Sequence, residues 1–243
     1  MAEISIKAEE VTRILGIPIT NALLLSLVTL VVLLGIAFLM RKQVSLIPGR
    51  LQSLLELAFE ELLGLMDSVL GSRALSERHF PLIATIFLFI LTSNWLGLLP
   101  LAPIGVRHGA HLVPLFRSPA SDLNFTITLA IISVLSVNIL GVVTIGAGRH
   151  LSKFFTVKNP ILTFAGLLEF ISEFVKIISF SFRLFGNVFA GEVLLTIVGF
   201  LVPYVVPLPF LFLEVFVGLV QAFIFSMLTL VFVAMAVAEH GEH

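Results

Sequence analysis

The chain contains no cysteine, a single tryptophan, a single tyrosine and few charged residues. Without cysteine it can form no disulfide, thiolate metal site or thiol nucleophile. Charged residues make up 12% of its 243 residues, about half the roughly 25% that is usual in soluble domains. The formal net charge of −1 excludes a protein that binds nucleic acid through phosphate contacts. The scarcity of charge indicates a polytopic membrane protein without a large soluble domain.

Apolar residues make up 58% of the chain, and many of them lie in long runs. An α-helix of about 20 apolar residues is long enough to cross the hydrocarbon core of a bilayer. We therefore predict an all-α membrane protein, one domain over residues 1–243, with about five membrane-embedded helices and one amphipathic surface helix. The predicted helices cover residues 19–40, 51–72 (the amphipathic one), 80–101, 123–146, 161–200 and 207–237.

The last two predicted helices are too long to stand upright in a bilayer. Residues 161–200 would form a helix about 60 Å long and residues 207–237 one of about 45 Å, whereas the hydrocarbon core is about 30 Å thick. Tilting, kinking or lying partly along the membrane plane are the ways to accommodate such lengths. We expect a steeply tilted hairpin that presents a long face to a neighbouring structure.

Basic residues indicate the orientation of the chain. Arg41 and Lys42 follow the first apolar run and Arg149 follows the run at 123–146, so these ends are predicted to be cytoplasmic by the positive-inside rule. The N-terminus then lies outside and the C-terminus in the cytoplasm. Arg107 and Arg117 disagree with this assignment, because they are basic residues in a loop predicted to lie outside.

As a helix, the segment 51–72 has a leucine-rich face and an acidic face that includes Glu56 and Glu60. A helix with one polar stripe lies on a membrane surface or packs against another helix. An acidic stripe is not attracted to anionic lipid, which favours contact with protein on the cytoplasmic side.

Arg183 is the most informative residue, because it lies inside an apolar stretch. A guanidinium near the middle of a bilayer costs at least about 2.5–3.5 kcal/mol, and arginine keeps its charge at biological pH. At about 100° per residue it shares a helix face with other polar positions. A charged face is unfavourable in contact with lipid, so we expect it to line water or to contact protein. The alternative is that the acids and the lysine of this face only neutralise one another within the helix. The predicted stripe comprises Glu169, Ser172, Glu173, Lys176, Ser179, Phe180, Arg183 and Asn187.

Two carboxyl groups on the last two helices form a second candidate site. Glu192 is about 13.5 Å and about 180° of rotation beyond Arg183 in a straight helix, so its partner is expected from another helix. Glu214 shares a face with Gln221, and antiparallel packing would place Glu192 and Glu214 at comparable depth. Two carboxyls in one apolar pocket cannot both be ionised cheaply, so one holds a proton. The pair predicts a proton relay; a structural pair of acids is the alternative.

Several motifs resemble those of subunit a of the F-type ATP synthase over nearly the whole chain. Residues 183–187, Arg-Leu-Phe-Gly-Asn, followed by Ala-Gly-Glu at 190–192, resemble the signature of that family. Residues 94–100 are similar to its Asn-Leu-x-Gly-Leu-x-Pro motif, residues 119–124 to the entry of its fourth helix, and residues 221–229 to its last-helix motif. One departure is Glu214, whose position is a histidine in some members.

The resemblance implies a non-catalytic stator subunit that conducts protons through two half-channels beside a rotor ring of small hairpin subunits (subunit c). Arg183 would face the ring and expel the proton from a passing ring carboxylate, and Asn187 would position that contact. The peripheral-stalk subunit b, the rest of the synthase and the lipid of a bacterial plasma membrane are the other implied partners. The remaining implied proton-pathway residues are Glu192, Glu214 and Gln221, with Asp122, Asn124, Glu169, Ser172, Glu173, Lys176 and Ser179 lining the half-channels.

Two other classes of protein compete with this interpretation. A free-standing proton-coupled secondary transporter would need a substrate cavity at the midplane and broken helices, and a purely structural membrane scaffold leaves the cost of Arg183 unexplained. We expect no metal site and no cofactor, because His108 and His111 have no carboxylate or thiolate nearby to complete a site.

Overall fold

Six α-helices make up most of the computed structural model, which describes residues 8–14, 17–43, 49–99, 105–108, 111–114, 116–148, 160–203 and 205–238. Five of the six, all except the second, are long and apolar enough to cross a membrane. The predicted all-α membrane fold with one further, amphipathic helix is confirmed. The helices are α1 (Asn21–Gln43), α2 (Arg50–Leu70), α3 (Arg73–Gly97), α4 (Leu123–Ile145), α5 (Pro160–Leu201) and α6 (Pro207–Ala238).

The junction between α2 and α3 differs from the expectation drawn from hydropathy. Helix α2 ends at Gly71, which adopts the left-handed conformation (φ 69°) while its N–H donates to the carbonyl of Asp67. Helix α3 then begins at Arg73 instead of near residue 80, because a polar first turn precedes the apolar run. The Arg73 guanidinium bonds to Asp67 at 3.0 Å and to Glu77 at 3.1 Å. These ion pairs stabilise the first turn of α3, where the sequence has no apolar run that would predict a membrane helix.

Two small antiparallel hairpins were not predicted. Strand β1 (Glu10–Ile14) pairs with β2 (Ile17–Thr20), and β3 (Gly105–His108) pairs with β4 (His111–Pro114). Strands of four or five residues are too short for the alternation of apolar and polar residues to stand out. A short 3-10 helix, Pro119–Ser121, leads from the second hairpin into α4.

Helix α6 is the central element of the packing. It contacts α3, α4, α5 and α2, while α4 packs on α5 and α1 packs on α3 and the 3-10 helix. The largest core cluster joins α3, α4, α5 and α6 through side chains that include Ile90, Ala130, Leu184, Ala222 and Phe225.

Buried hydroxyl groups link α4 to its two neighbours. Thr126 and Ser181 are 3.0 Å apart and connect α4 to α5, and Ser133 and Thr229 are 2.9 Å apart and connect α4 to α6. Hydrogen bonds between membrane helices contribute on average about 0.6 kcal/mol each. They fix α4 between the two long helices.

The lengths of α5 and α6 follow the sequence expectation. Helix α5 has 42 residues and α6 has 32, which correspond to about 63 Å and about 48 Å. Both exceed the hydrocarbon thickness of about 30 Å, and their inclination in the membrane stays a prediction. The basic residues Arg149, Lys153 and Lys158 lie outside the described residues, so the orientation of the chain also stays a prediction.

Candidate functional site

Arg117 and Glu192 form an ion pair between the loop before α4 and helix α5. The Arg117 Nε atom lies 3.1 Å from Glu192 Oε1, and it also donates to Ser121 Oγ at 3.0 Å. The Arg117 side chain is only 7% exposed, whereas that of Glu192 is 38% exposed. The partner of Glu192 therefore comes from the segment preceding the 3-10 helix, and the expectation that another helix supplies it is wrong.

The carboxyl group of Glu214 on α6 lies directly against Gly191 on α5. It occupies the space that a Cβ atom at position 191 would need. Glu214 is 9% exposed, and within the described part of the chain no basic nitrogen lies within 4.0 Å of its carboxyl. Glu192 and Glu214 thus lie at adjacent depths, but among the described residues no hydrogen bond joins the two carboxyls.

Gln221 and Gly218 continue the buried face of α6 beyond Glu214. Gln221 is buried, as its shared face with Glu214 predicts. The Nδ2 atom of Asn94 on α3 donates to the carbonyl of Gly218 at 3.3 Å, while the buried Oδ1 atom of Asn94 has no partner. Asn94 thus contacts the face of α6 that carries Glu214 and Gln221.

Asp122 has a structural task at the start of α4. Its carboxylate accepts from the backbone N–H of Asn124 at 3.0 Å and from the Asn124 side-chain amide at 3.2 Å. Such an N-cap typically contributes about 1 kcal/mol. Asp122 is buried and Asn124 is exposed. The cap fixes the junction that also carries Arg117.

Arg183 is exposed on the surface of the chain, near the middle of α5. Its side chain is exposed, and its Nη2 atom donates to Ser179 Oγ at 3.3 Å. No carboxylate of the described residues lies within 4.0 Å of the guanidinium. Asn187, one turn further on, is also exposed, and the neighbouring surface is apolar, with Ile178 57% and Phe182 55% exposed. The isolated chain thus leaves a charge uncompensated on an apolar surface.

Phe180 divides the predicted polar stripe into two parts. Its ring is 3% exposed and packs on Phe225 and Phe232, with ring centroids 4.7 and 5.6 Å apart. The predicted stripe therefore does not form one continuous exposed surface, since it runs along the edge of the face of α5 that packs on other helices. Residues at similar angles around α5 can differ in burial, because a neighbouring helix covers some of them and not others.

A second polar cluster lies in the earlier part of α5. Lys176 Nζ donates to Glu173 Oε1 at 2.7 Å, and Asn138 Nδ2 on α4 donates to Glu173 Oε2 at 3.0 Å. The ammonium also lies 4.7 Å from the centroid of the Phe232 ring, a distance at which a cation is attracted to the ring face. A small pocket borders this cluster. Mutual neutralisation holds for Glu173 and Lys176.

Glu169 and Ser172 do not take part in that neutralisation. Glu169 is exposed, and the Ser172 hydroxyl donates to the backbone carbonyl of Glu169 at 2.7 Å. Glu169 lies about one turn before Glu173 on α5, and Ser172, which is half-buried, directly precedes Glu173.

Sequence reasoning missed three residues of these clusters. Asn94 was noted only within a motif, Asn138 was not considered, and Arg117 was noted only as an exception to the positive-inside rule. That exception was the available signal in the sequence. The ion pair with Glu192 explains why Arg117 does not behave as a free loop cation.

Fold and site together define an integral membrane protein that carries ionisable side chains within its membrane-spanning helices. Such residues mark ion pathways and proton relays in membrane proteins. A sequence model of the family described as ATP synthase A chain matches residues 23–234. The chain therefore belongs to the ATP synthase subunit a family.

Individual relatives agree along almost the full length. ATP synthase subunit a of Gloeobacter violaceus is 35% identical over 216 residues, which cover 89% of this chain and 83% of the relative. That of Campylobacter fetus subsp. fetus is 36% identical over 219 residues, 90% of each protein. That of Moorella thermoacetica is 31% identical over 235 residues, 97% of this chain and 99% of the relative.

Proposed function

We propose that this chain is the proton-translocating stator subunit of a rotary ATP synthase. It provides an outer and an inner half-channel and presents Arg183 to a rotor ring of small hairpin subunits. It catalyses no chemical step itself. Its other partners are the peripheral-stalk subunit b and the rest of the synthase, in a bacterial plasma membrane with the N-terminus outside and the C-terminus in the cytoplasm.

The observation that carries the proposal is the position of Arg183. The guanidinium is exposed on an apolar surface and has one hydrogen bond, to Ser179, within the described part of the chain. A cation at that depth requires a compensating group, and a carboxylate that moves past on a partner supplies it. The fixed positive charge favours the ionised form of such a carboxylate, so the proton leaves as the carboxylate arrives.

Two clusters flank Arg183 along α5 and support the assignment of two half-channels. Arg117, Glu192, Glu214 and Asn94 lie beyond Arg183 and form the outer pathway in this proposal, with Asp122 and Asn124 at its mouth. Gln221 lies two turns from Glu214 towards Phe225, which packs on Phe180, and so forms the inner end of that pathway near the level of Arg183. Glu169, Ser172, Glu173, Lys176 and Ser179 precede Arg183 and line the inner pathway. Because Arg183 stands between the two groups, its charge opposes the direct passage of a proton.

The direction of flow is set by the membrane potential. One elementary charge that crosses 100 mV releases about 2.3 kcal/mol. A proton that enters from outside, rides on the ring and leaves at the inner side converts this energy into rotation. Asn187, one turn beyond Arg183 and equally exposed, is placed to hydrogen-bond the carboxylate of the ring.

Reconstitution into liposomes tests the proposal. We expect a potassium diffusion potential to drive proton uptake when the chain is reconstituted with the ring and subunit b, and no specific uptake when the chain is reconstituted alone. In the intact synthase, Arg183→Ala should abolish ATP-driven proton pumping although the complex assembles. Transport by the purified chain alone would contradict the proposal and favour a free-standing transporter.

A further inference from the structure

We propose that Arg117 is a positioning residue of the outer half-channel, which holds Glu192 as a paired carboxylate and leaves Glu214 to carry the transported proton. This inference rests on the proposed function. The two acids then do not share one proton but have different roles: Glu192 is paired and Glu214 carries the proton. Arg117, which lies outside the membrane helices, determines which acid has which role.

The contacts of Arg117 are those of a built ion pair. Its Nε atom reaches Glu192 Oε1 at 3.1 Å and Oε2 at 3.3 Å, and it also donates to Ser121 Oγ at 3.0 Å. The side chain is 7% exposed, so its conformations are restricted by the surrounding chain. A guanidinium cannot lose its proton in a protein. Glu192 therefore always faces a cation.

Glu214 is in the opposite situation. Its carboxyl is nearly covered and packs on the bare backbone of Gly191. Within the described residues no lysine, arginine or histidine nitrogen lies within 4.0 Å of it. Burying a carboxylate without a partner costs far more free energy than burying a neutral carboxyl. Of the two outer acids, Glu214 is thus the one that the surroundings favour in the protonated form.

The groups that face this pair come from three directions. Arg117, which also bonds to Ser121 of the 3-10 helix, approaches Glu192 from the loop. Gly191 lies under Glu214 on α5, and Asn94 approaches the same face of α6 from α3. In one transport step Glu214 passes its proton towards the ring carboxylate and takes a replacement from external water. Glu192 stays paired with Arg117 throughout the step.

Labelling with dicyclohexylcarbodiimide tests the assignment without measuring transport. The reagent adds to protonated carboxyls in apolar surroundings, and the adducts on each glutamate are quantified by mass spectrometry of the intact synthase. We expect labelling of Glu214 and none of Glu192 in the wild type. Glu192 is 38% exposed and Glu214 9%, so accessibility by itself predicts the reverse. Labelling of Glu192 in preference to Glu214 would overturn the inference.

Substitution of Arg117 gives the second readout. In Arg117→Gln we expect several-fold more adduct on Glu192 and a fall in proton transport of about tenfold or more, since displaced catalytic groups are penalised strongly. Arg117→Lys retains the cation and should keep Glu192 unlabelled with partial transport. The exchange Arg117→Glu with Glu192→Arg should transport better than either single variant. A purely structural role for Arg117 would lower the amount of assembled synthase without moving the label.

Two controls separate the inference from the proposed function. Arg13→Gln removes an arginine from an exposed ion pair with Glu10, in which the arginine side chain is 69% exposed, and should change neither labelling nor transport. Arg183→Ala should abolish ATP-driven proton pumping with wild-type labelling of Glu192 and Glu214. If Arg183→Ala pumps protons normally, the proposed function fails. If it does not, but Arg117→Gln transports at the wild-type rate with Glu192 unlabelled, only the inference fails.

Discussion

The carboxyl group of Glu214 on α6 fills the space that a Cβ atom of residue 191 on α5 would occupy. Only glycine leaves that space free, so Gly191 allows the acid of one long helix to reach the backbone of the other. The signature Ala-Gly-Glu at residues 190–192 thus combines an acid, Glu192, with the glycine that admits a second acid. The contact brings both carboxyls to the same level of the proposed outer half-channel.

Gly191→Ala should therefore impair transport. The added methyl group must displace the Glu214 carboxyl, at a cost typical of overpacking, about 1–3 kcal/mol, and we expect proton-driven ATP synthesis to fall about tenfold or more. Inverted vesicles with matched amounts of synthase provide the measurement. Gly199→Ala is the matched control, because the nearest atom to its added Cβ is 4.0 Å away on the same pair of helices.

Shortening the acid should relieve the effect. Glu214→Asp in the Gly191→Ala background removes one methylene and should recover part of the synthesis that Gly191→Ala loses. Independent, additive losses from the two substitutions would show that the contact does not govern transport.

ATP synthesis should depend on the guanidinium group at position 183 and not only on its positive charge. Arg183→Ala should abolish ATP synthesis, and Arg183→Lys should lose most of it, because an ammonium is more strongly hydrated and can lose its proton when buried. Both variants should assemble, since the side chain is exposed and bonds only to Ser179 among the described residues. Synthesis in inverted vesicles, normalised to the synthase content, is the measurement; wild-type rates from either variant would contradict the proposed role.

The inner cluster predicts a non-additive effect on stability. Glu173→Gln leaves the Lys176 ammonium, 19% exposed, without its carboxylate, and we expect a loss of about 2 kcal/mol, below the 3–5 kcal/mol for fully buried pairs. Adding Lys176→Met should restore at least half of it. The thermal unfolding midpoint of the solubilised synthase reports the change. Glu77→Gln, which breaks an exposed pair with Arg73, is the control and should have little effect.

Asp67 should give the junction of α2 and α3 a pH-dependent contribution. The Ser76 hydroxyl and then the Arg73 guanidinium beside it hold the pKa of Asp67 below its ordinary value. Its stabilisation is thus fully present above the unfolded pKa of about 3.9 and is lost as the pH falls through the lower folded value. Asp67→Asn should make the junction more sensitive to proteolysis at pH 7. That difference should shrink below about pH 4, and a difference that grows on acidification would contradict this account.

The membrane helices could be predicted from the sequence because each apolar run exceeds the thickness of the bilayer. Pro160 and Pro207 mark the starts of α5 and α6 directly. The start of α3 could not be read in the same way, because its first turn is held by ion pairs of Arg73 and not by apolar residues. The hairpins were missed because hydrogen bonding between short strands leaves too weak a sequence pattern.

The sequence singles out most of the ionisable side chains of the two clusters, but not the contacts between them. Arg183 is conspicuous because of its surroundings in the sequence, and the depth of Glu214 relative to Glu192 follows from the hairpin geometry. The ion pair of Arg117 with Glu192 joins residues 75 positions apart, which no helical period reveals. The burial of Phe180 likewise depends on where α6 packs, since its angular position is close to that of the exposed Asn187.

Single cysteines along α5 should reveal the face that meets the ring, and the natural chain has no cysteine to remove. Ser179, Asn187 and Ala190 are exposed, whereas Ser181 and Val188 are buried on the opposite side of the same turns. Cysteines at the first three positions should form disulfides with cysteines placed on the ion-carrying helix of the ring, and cysteines at the two buried positions should not. The reason is that the uncompensated charge of Arg183 makes its face unsuitable for lipid. If the exposed positions react only with lipid-soluble reagents and none cross-links to the ring, both the partner face and the role of Arg183 are wrong.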